Sequence, residues 1–256
     1  MANEYDLFLF MGQSNMAGRG ITNEKWQQKA PKLIEGAGVE FRAISDPSKL
    51  YEIEEPFGVY ENNSDGIYEP GKKTGSMVTA FVNAYYEKAN SSVLAVSASK
   101  GGSVIESWQG NRDYLSDALE RLKVTESFCA EKKINIRHKY VLWCQGESNG
   151  DAGTSSEEYK SKFQNLQSQL KEAGIEHIFL IAIGKYNGEG ETDYSVIHDT
   201  QLEIASENKG VTLVSDSFQT MRERGLMKDA FHYYQQAYNE VGAEAGEKVG
   251  AYVLGR

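Results

Sequence analysis

Apolar residues in this chain alternate between short continuous runs and stripes of helical period. Residues 5 to 12 open with Tyr5, Leu7, Phe8, Leu9 and Phe10, too continuously apolar for a half-solvated strand, so a strand buried on both faces is expected. A mixed stretch follows, with a short helix expected over Glu24–Lys29 and a strand over Val39–Ile44. From Ser76 to Ala89, Met77, Ala80, Phe81, Ala84 and Tyr85 recur at three and four, which predicts an amphipathic helix. A strand over Ser92–Ala98 and a helix carrying Leu115, Leu119, Leu122 and Phe128 come next. The pattern then repeats: strand Lys139–Cys144, helix Ser156–Ala173, strand His177–Ile183, helix Tyr194–Glu207, strand Val211–Val214 and a last helix over Tyr234–Val249.

Strands and helices alternating at these lengths predict a three-layer α/β/α domain around a doubly wound parallel sheet. No Pro/Gly/Ser-rich linker divides the 256 residues, so residues 1 to 256 are expected to form a single domain. Ligands of such sheets bind outside the carboxyl ends of the strands. Glycine-bearing polar turns follow the strands ending near Met11, Ala98 and Cys144, and all three belong on that edge. Two segments without period, 45 to 74 and 185 to 192, suit the walls of a site. The first includes Gly66 to Lys73, which approximates a phosphate-binding loop. It lacks a preceding strand, however, and has Lys73 where Ser or Thr should hold Mg²⁺.

In the first turn Gly12 and Gly18 bracket Ser14, with Asn15 beside it. A serine held there is either a nucleophile or a helix cap. A nucleophile needs a base, and four histidines compete. His138 and His177 start predicted strands, at the wrong edge of the sheet. His198 and Asp199 are helix neighbours that should point apart. His232 follows Asp229 by three residues, a spacing that can bring the carboxylate to Nδ1 and leave Nε2 for the serine proton. Donors for an oxyanion are expected from the Ser14 and Gly102 amides and the Gln145 side chain. Glu147 either orients His232 in place of Asp229 or bonds the turns together, since a buried carboxylate needs partners. Trp108, Trp143, Tyr114, Tyr186 and Tyr233 are candidate sugar-stacking aromatics.

The formal net charge of -10 opposes binding to nucleic acid or anionic membrane surfaces. No apolar stretch has the length of a spanning helix, and the first strand leaves no room for a signal peptide. The chain as given is expected to be soluble and cytoplasmic, or secreted if its native start lies farther upstream. Cys129 and Cys144, the only cysteines, read as reduced packing residues and cannot make a Cys-rich zinc site.

Gly12-Gln13-Ser14-Asn15-Met16-Ala17-Gly18, Lys100-Gly101-Gly102, Trp143 to Ser148 and Asp229-x-x-His232 together resemble the sequence blocks of the SGNH (GDSL-like) hydrolase superfamily. Within it they are most similar to the sialate O-acetylesterase and acetylxylan esterase branch, carbohydrate esterase family 6. The resemblance implies a flavodoxin-like fold, serine catalysis without metal or cofactor, and removal of acetyl groups from a carbohydrate partner. It makes Ser14 the nucleophile, His232 the base and Asp229 its partner, with Gly102 and Gln145 completing the oxyanion hole. The branch usually has aspartate after Gln-Gly-Glu-Ser, where this chain has Asn149. If that residue only buttresses the turn, Asn serves as well; if its charge matters, activity changes. Two other functions share these features: a general short-chain esterase or lipase on the same residues, and a non-catalytic carbohydrate-binding protein that retains the fold.

Overall fold

Strand β1 (Glu4–Gly12) lies in the middle of a seven-stranded sheet in the computed structural model, which describes residues 3–110, 113–190 and 192–255. It pairs in parallel with β4 (Val93–Ser99) and β5 (Asn135–Cys144), so that Gly12 lies level with Ser99 and Cys144. The expectation that three strands end together at one edge is met. Outward from β4 come β2 (Gly38–Arg42) and β3 (Asp46–Tyr51), and outward from β5 come β6 (His177–Ile181) and β7 (Val211–Ser215). Every pairing is parallel except that of β2 with the edge strand β3.

Alternation along β1 sorts its side chains onto two cores, as the two-residue period requires. Leu7, Leu9 and Met11 pack with Leu115, Leu122, Phe163 and Ile197 of α3 (Tyr114–Lys132), α5 (Ser156–Glu172) and α6 (Ser195–Glu207). Phe8 and Phe10 pack on the other side with Phe81, Tyr85 and Val241 of α2 (Val78–Ala89) and α7 (Gln235–Leu254). Each such side chain contributes roughly 1.5–3 kcal/mol by leaving water. Helices α2 and α7 approach closely at Gly242, where an added Cβ would stand 2.3 Å from the Met77 carbonyl oxygen. No helix among the described residues is long and apolar enough to cross a membrane.

Two expectations fail locally. No helix forms over Glu24–Lys29. Instead Asn23 Oδ1 accepts from the Lys25 and Trp26 amides, and the Trp26 indole donates to the Gly225 carbonyl at 2.9 Å. Asn23 thus bonds as a helix cap does, yet no helical turn follows it. The segment 45 to 74 is not wholly irregular either, because Asp46–Tyr51 forms β3 against β2. Glu191, in the second expected loop, lies outside the described residues. Cys129 and Cys144 are buried and unpaired, as expected.

Candidate active site

The chain leaves β1 through Gly12, whose φ of 137° and lack of a Cβ let the Cys144 carbonyl oxygen come to 2.0 Å from where a Cβ would stand. No other residue fits there. This places Gln13 and Ser14 at the sheet's carboxyl edge, where Ser14 begins the short helix α1 (Ser14–Ala17). The first amide of a helix has no carbonyl behind it, and that of Ser14 has no hydrogen-bond partner among the described residues. The Gly102 amide, in the turn after β4, is equally free.

His232 arrives from the other end of the chain, just before α7. Its Nε2 lies 2.9 Å from the Ser14 hydroxyl oxygen, and its Nδ1 lies 2.9 Å from Asp229 Oδ2. A carboxylate can only accept, so Nδ1 carries the proton and Nε2 accepts from the serine hydroxyl. The turn fixes this arrangement, because Asp229 Oδ1 accepts from the Phe231 amide at 3.0 Å and the His232 amide at 2.8 Å. Burial works to raise the Asp229 pKa, but the two amides and the imidazole outweigh it and hold the group below the ordinary carboxylate value. Burial lowers the His232 pKa below 6.5, against the opposing pull of Asp229.

Glu147 opens the short helix α4 (Glu147–Asp151) and makes no bond to His232. Its Oε1 accepts from the Asn15 amide nitrogen, which also donates to the Phe231 carbonyl at 3.0 Å, while Asn15 Oδ1 accepts from the Tyr238 hydroxyl at 2.6 Å. Asn15 and Glu147 therefore tie the serine turn to the 229–232 turn. Burial raises the Glu147 carboxyl pKa to about 7, and its Oε2 has no partner among the described residues.

Gln145 departs from expectation. It is fully buried, and its amide nitrogen donates to the Ser103 carbonyl (3.0 Å), Asn149 Oδ1 (2.7 Å) and Gln13 Oε1 (3.3 Å). It does not line the pocket at Ser14, so its donor is already occupied in the packing of the turn. Sequence reasoning missed Gln13. Its Oε1 accepts from the Gly146 and Ser148 amides as well as from Gln145, and two backbone donors settle which end of the amide is oxygen. Gln13 Nε2 has no partner among the described residues, and Gln13 lines the pocket beside Ser14. The signal available was its adjacency to the serine.

Asn149 resolves the departure from the usual aspartate. Its Oδ1 accepts from the Ile105 amide and Gln145, while its Nδ2 donates to Glu106 Oε2 and Thr154 Oγ1, each at 3.0 Å. An aspartate here would face the Glu106 carboxylate with no donor. We expect Asn149→Asp to destabilise the fold by about 2–4 kcal/mol and Glu106→Gln to recover much of it. Urea unfolding of the single and double variants checks this, and purely additive losses would contradict it.

The pocket at Ser14 has a volume of about 370 Å³. Arg19, Lys72 and Lys100 lie among its lining residues with Glu69, Glu147 and Asp151. Glu69 pairs with Arg19, accepts from the Gly101 amide at 2.8 Å and lies 3.5 Å from the Lys100 ammonium. The exposed Lys72 ammonium has no hydrogen bond or ion pair among the described residues. Phe231, 37% exposed, is the aromatic in the lining. Of the expected stacking residues, Trp108, Trp143 and Tyr233 are core, Tyr114 is half-buried against Trp108, and Tyr186 stands beside Phe231 but outside this pocket. Among the described residues no cluster of three or more His, Cys, Asp or Glu side chains could hold a metal ion.

A family model described as carbohydrate esterase, sialic acid-specific acetylesterase matches residues 4–250. A probable carbohydrate esterase of Arabidopsis thaliana is 27% identical over 237 residues, covering 85% of this chain and 84% of the relative. A crystal structure of an Arabidopsis thaliana protein superposes with a TM-score of 0.70 at 21% identity, over 98% of this chain and 99% of that one. A carbohydrate acetylesterase from Xanthomonas citri gives 0.61 at 16% identity, over 96% of this chain and 56% of that one. At these identities the structural likenesses show the fold.

Proposed function

The chain belongs to the carbohydrate esterase, sialic acid-specific acetylesterase family, and from that premise we propose that Ser14, His232 and Asp229 carry out its deacetylation of sugars. The observation that carries this reading is the line of hydrogen bonds from Ser14 through His232 to Asp229, at 2.9 Å each. Ser14 Oγ attacks the acetyl carbonyl carbon while His232 Nε2 takes the hydroxyl proton. Asp229 stabilises the imidazolium that forms. The tetrahedral oxyanion is met by the Ser14 and Gly102 amides and by Gln13 Nε2, which takes the place expected of Gln145. His232 then gives its proton to the departing sugar oxygen, leaving acetyl-Ser14. Water, deprotonated by His232, attacks this ester, and acetate leaves as Ser14 regains its proton.

Gln13→Glu keeps the oxygen that holds the Gly146 and Ser148 amides but removes the donor. We expect kcat on nitrophenyl acetate to fall about 100- to 1,000-fold, the effect of one oxyanion donor, with little change in Tm. A variant retaining the native kcat would remove Gln13 from the oxyanion hole.

The substrate side is read from charge. In a chain of net charge -10, the wall holding Arg19, Lys72 and Lys100 has Glu69 as the carboxylate paired to it. The three cations are matched in number by Glu69, Glu147 and Asp151 in the lining, but the Lys72 ammonium, exposed and without an ion pair among the described residues, suits a sugar bearing its own carboxylate, and the exposed ring of Phe231 suits the apolar face of that sugar. Acetate release should therefore favour O-acetylated sialic or uronic acids over acetylated neutral sugars. Lys72→Ala should raise KM for the acidic substrates about 3- to 10-fold, as loss of one partly screened charge pair does. Equal KM changes on acidic and neutral substrates would contradict the acidic-sugar reading.

A further inference from the structure

Beyond the 229–232 turn lies a second cavity, about 350 Å³ in volume, at the same edge of the sheet. Its walls come from the loop after β6 (Gly184, Lys185, Tyr186), the start of α6 (Asp193 to Asp199) and the turn after β7 (Gln219, Arg222). The volume falls in the range of small-ligand sites. Several of its polar groups are already engaged. Lys185 pairs with Glu223 at 2.6 Å, Asp193 accepts from the Ser195 amide and hydroxyl, and the Tyr194 hydroxyl donates to Asp151 at 2.7 Å. His198 and Asp199, expected to point apart, lie 3.1 Å from each other, with the other imidazole nitrogen 2.8 Å from Asp216.

What remains open is a small set of complementary groups. The Arg222 guanidinium has no hydrogen bond or ion pair among the described residues. Among the described residues Asp199 uses Oδ1 on His198 and leaves Oδ2 without a partner, and Gln219 donates to the Ile183 carbonyl while its own oxygen accepts nothing. Donor and acceptors side by side, next to the tyrosine ring of Tyr186, match the hydroxyls and apolar face of a sugar. The carboxylates of Asp193 and Asp199 are matched by Lys185 and Arg222 in the same walls, so the cavity carries no excess of either sign and suits a neutral sugar.

The two cavities adjoin at a pair of rings and at the hydrogen bond of Tyr194 on Asp151. Tyr186 lines the second, Phe231 lines the first, and their ring centroids are 6.2 Å apart. The loop between them is fixed to the catalytic turn, because the Asn187 amide donates to the Ala230 carbonyl at 2.9 Å. A ligand leaving the Ser14 pocket over Phe231 therefore reaches Tyr186 next.

We propose that the second cavity is a neutral-sugar subsite, so that the acetylated sugar at Ser14 is taken as the end of a glycan whose adjoining neutral residue rests on Tyr186 and bonds Arg222 and Asp199. The proposal rests on the carbohydrate esterase reading above. It makes glycan length a determinant of affinity, independent of the bond being cleaved.

Calorimetric titration with unacetylated sugars tests it without requiring turnover. Two pairs serve as probes: sialic acid against sialyllactose, and xylose against a xylo-oligosaccharide. For at least one pair the longer sugar should bind the native protein about tenfold more tightly, the size of one aromatic contact with its hydrogen bonds, and Arg222→Ala should reduce that ratio to near one. Arg222 has no bonded partner to lose, so its replacement does not threaten the fold. Equal affinities within both pairs, or a ratio untouched by Arg222→Ala, would overturn the subsite. Acetate release by the native protein is read separately: its absence would overturn the esterase reading, whereas its presence with equal affinities would overturn the subsite alone.

Discussion

Ser14→Ala is expected to lower kcat on nitrophenyl acetate by about four to six orders of magnitude, the range seen when a serine nucleophile is removed. The fold should hardly notice. The Ser14 hydroxyl bonds His232, and a hydrogen bond of that kind contributes about 1 kcal/mol to stability. The turn itself is held elsewhere, by the Gln13 amide on the Cys144 carbonyl and by Gln13 Oε1 on the Gly146 and Ser148 amides. Kinetics and thermal unfolding on the same preparation separate the two effects. A variant with native Tm and native kcat would end the assignment of Ser14.

Asp229→Asn is expected to lower kcat about 10,000-fold. The Asn carbonyl oxygen can still accept from the Phe231 and His232 amides, so the turn is kept. Its amide would then face His232 Nδ1 as a donor. The imidazole must respond by accepting at Nδ1 and carrying its proton on Nε2, the tautomer that cannot receive the serine proton. Glu147→Gln retains the acceptor for Asn15 and should cost far less, because Glu147 acts on the 229–232 turn through Asn15 and the Phe231 carbonyl. The pH profile distinguishes the two carboxylates. With His232 as the proposed base and its pKa lowered below 6.5 by burial, kcat/KM should rise as His232 loses its proton below pH 6.5 and stay level above it. That limb should persist in Glu147→Gln. In Asp229→Asn, which removes the charge that pulls the imidazole pKa upward, the limb should move farther to the acid side. A native limb near pH 7 that vanishes in Glu147→Gln would instead make the Glu147 carboxyl, with its pKa of about 7, the controlling group.

Much of this arrangement was legible in the sequence because it is locally encoded. A continuous apolar strand ending in Gly12 fixes where Ser14 emerges, and three residues from Asp229 to His232 suffice for one turn to orient an imidazole. What could not be read depends on partners distant in the chain. Gln13 and Gln145 both stand beside glycine turns, and sequence alone does not say which amide finds acceptors. The Ser103 carbonyl and Asn149 settle it by engaging Gln145. Trp143 resembled a rim residue from its place at a strand end, but it packs against Trp108 and Phe163 in the core. Phe231 sits inside the most recognisable motif, and its value as an exposed surface appears only once the second turn is folded against the first. Over Glu24–Lys29 no helix follows although Asn23 bonds the next amides as a cap would, and a distant partner, the Gly225 carbonyl, holds the Trp26 indole there.

The most direct test of the relay is to trap its intermediate. Native protein turning over nitrophenyl acetate, quenched in acid and digested, should carry one acetyl group on the peptide containing Ser14, located by mass spectrometry to that hydroxyl. The label should be absent from Ser14→Ala. Acetate released with no acetylated peptide at any quench time, or an acetyl group resident on another side chain in both proteins, would contradict the account.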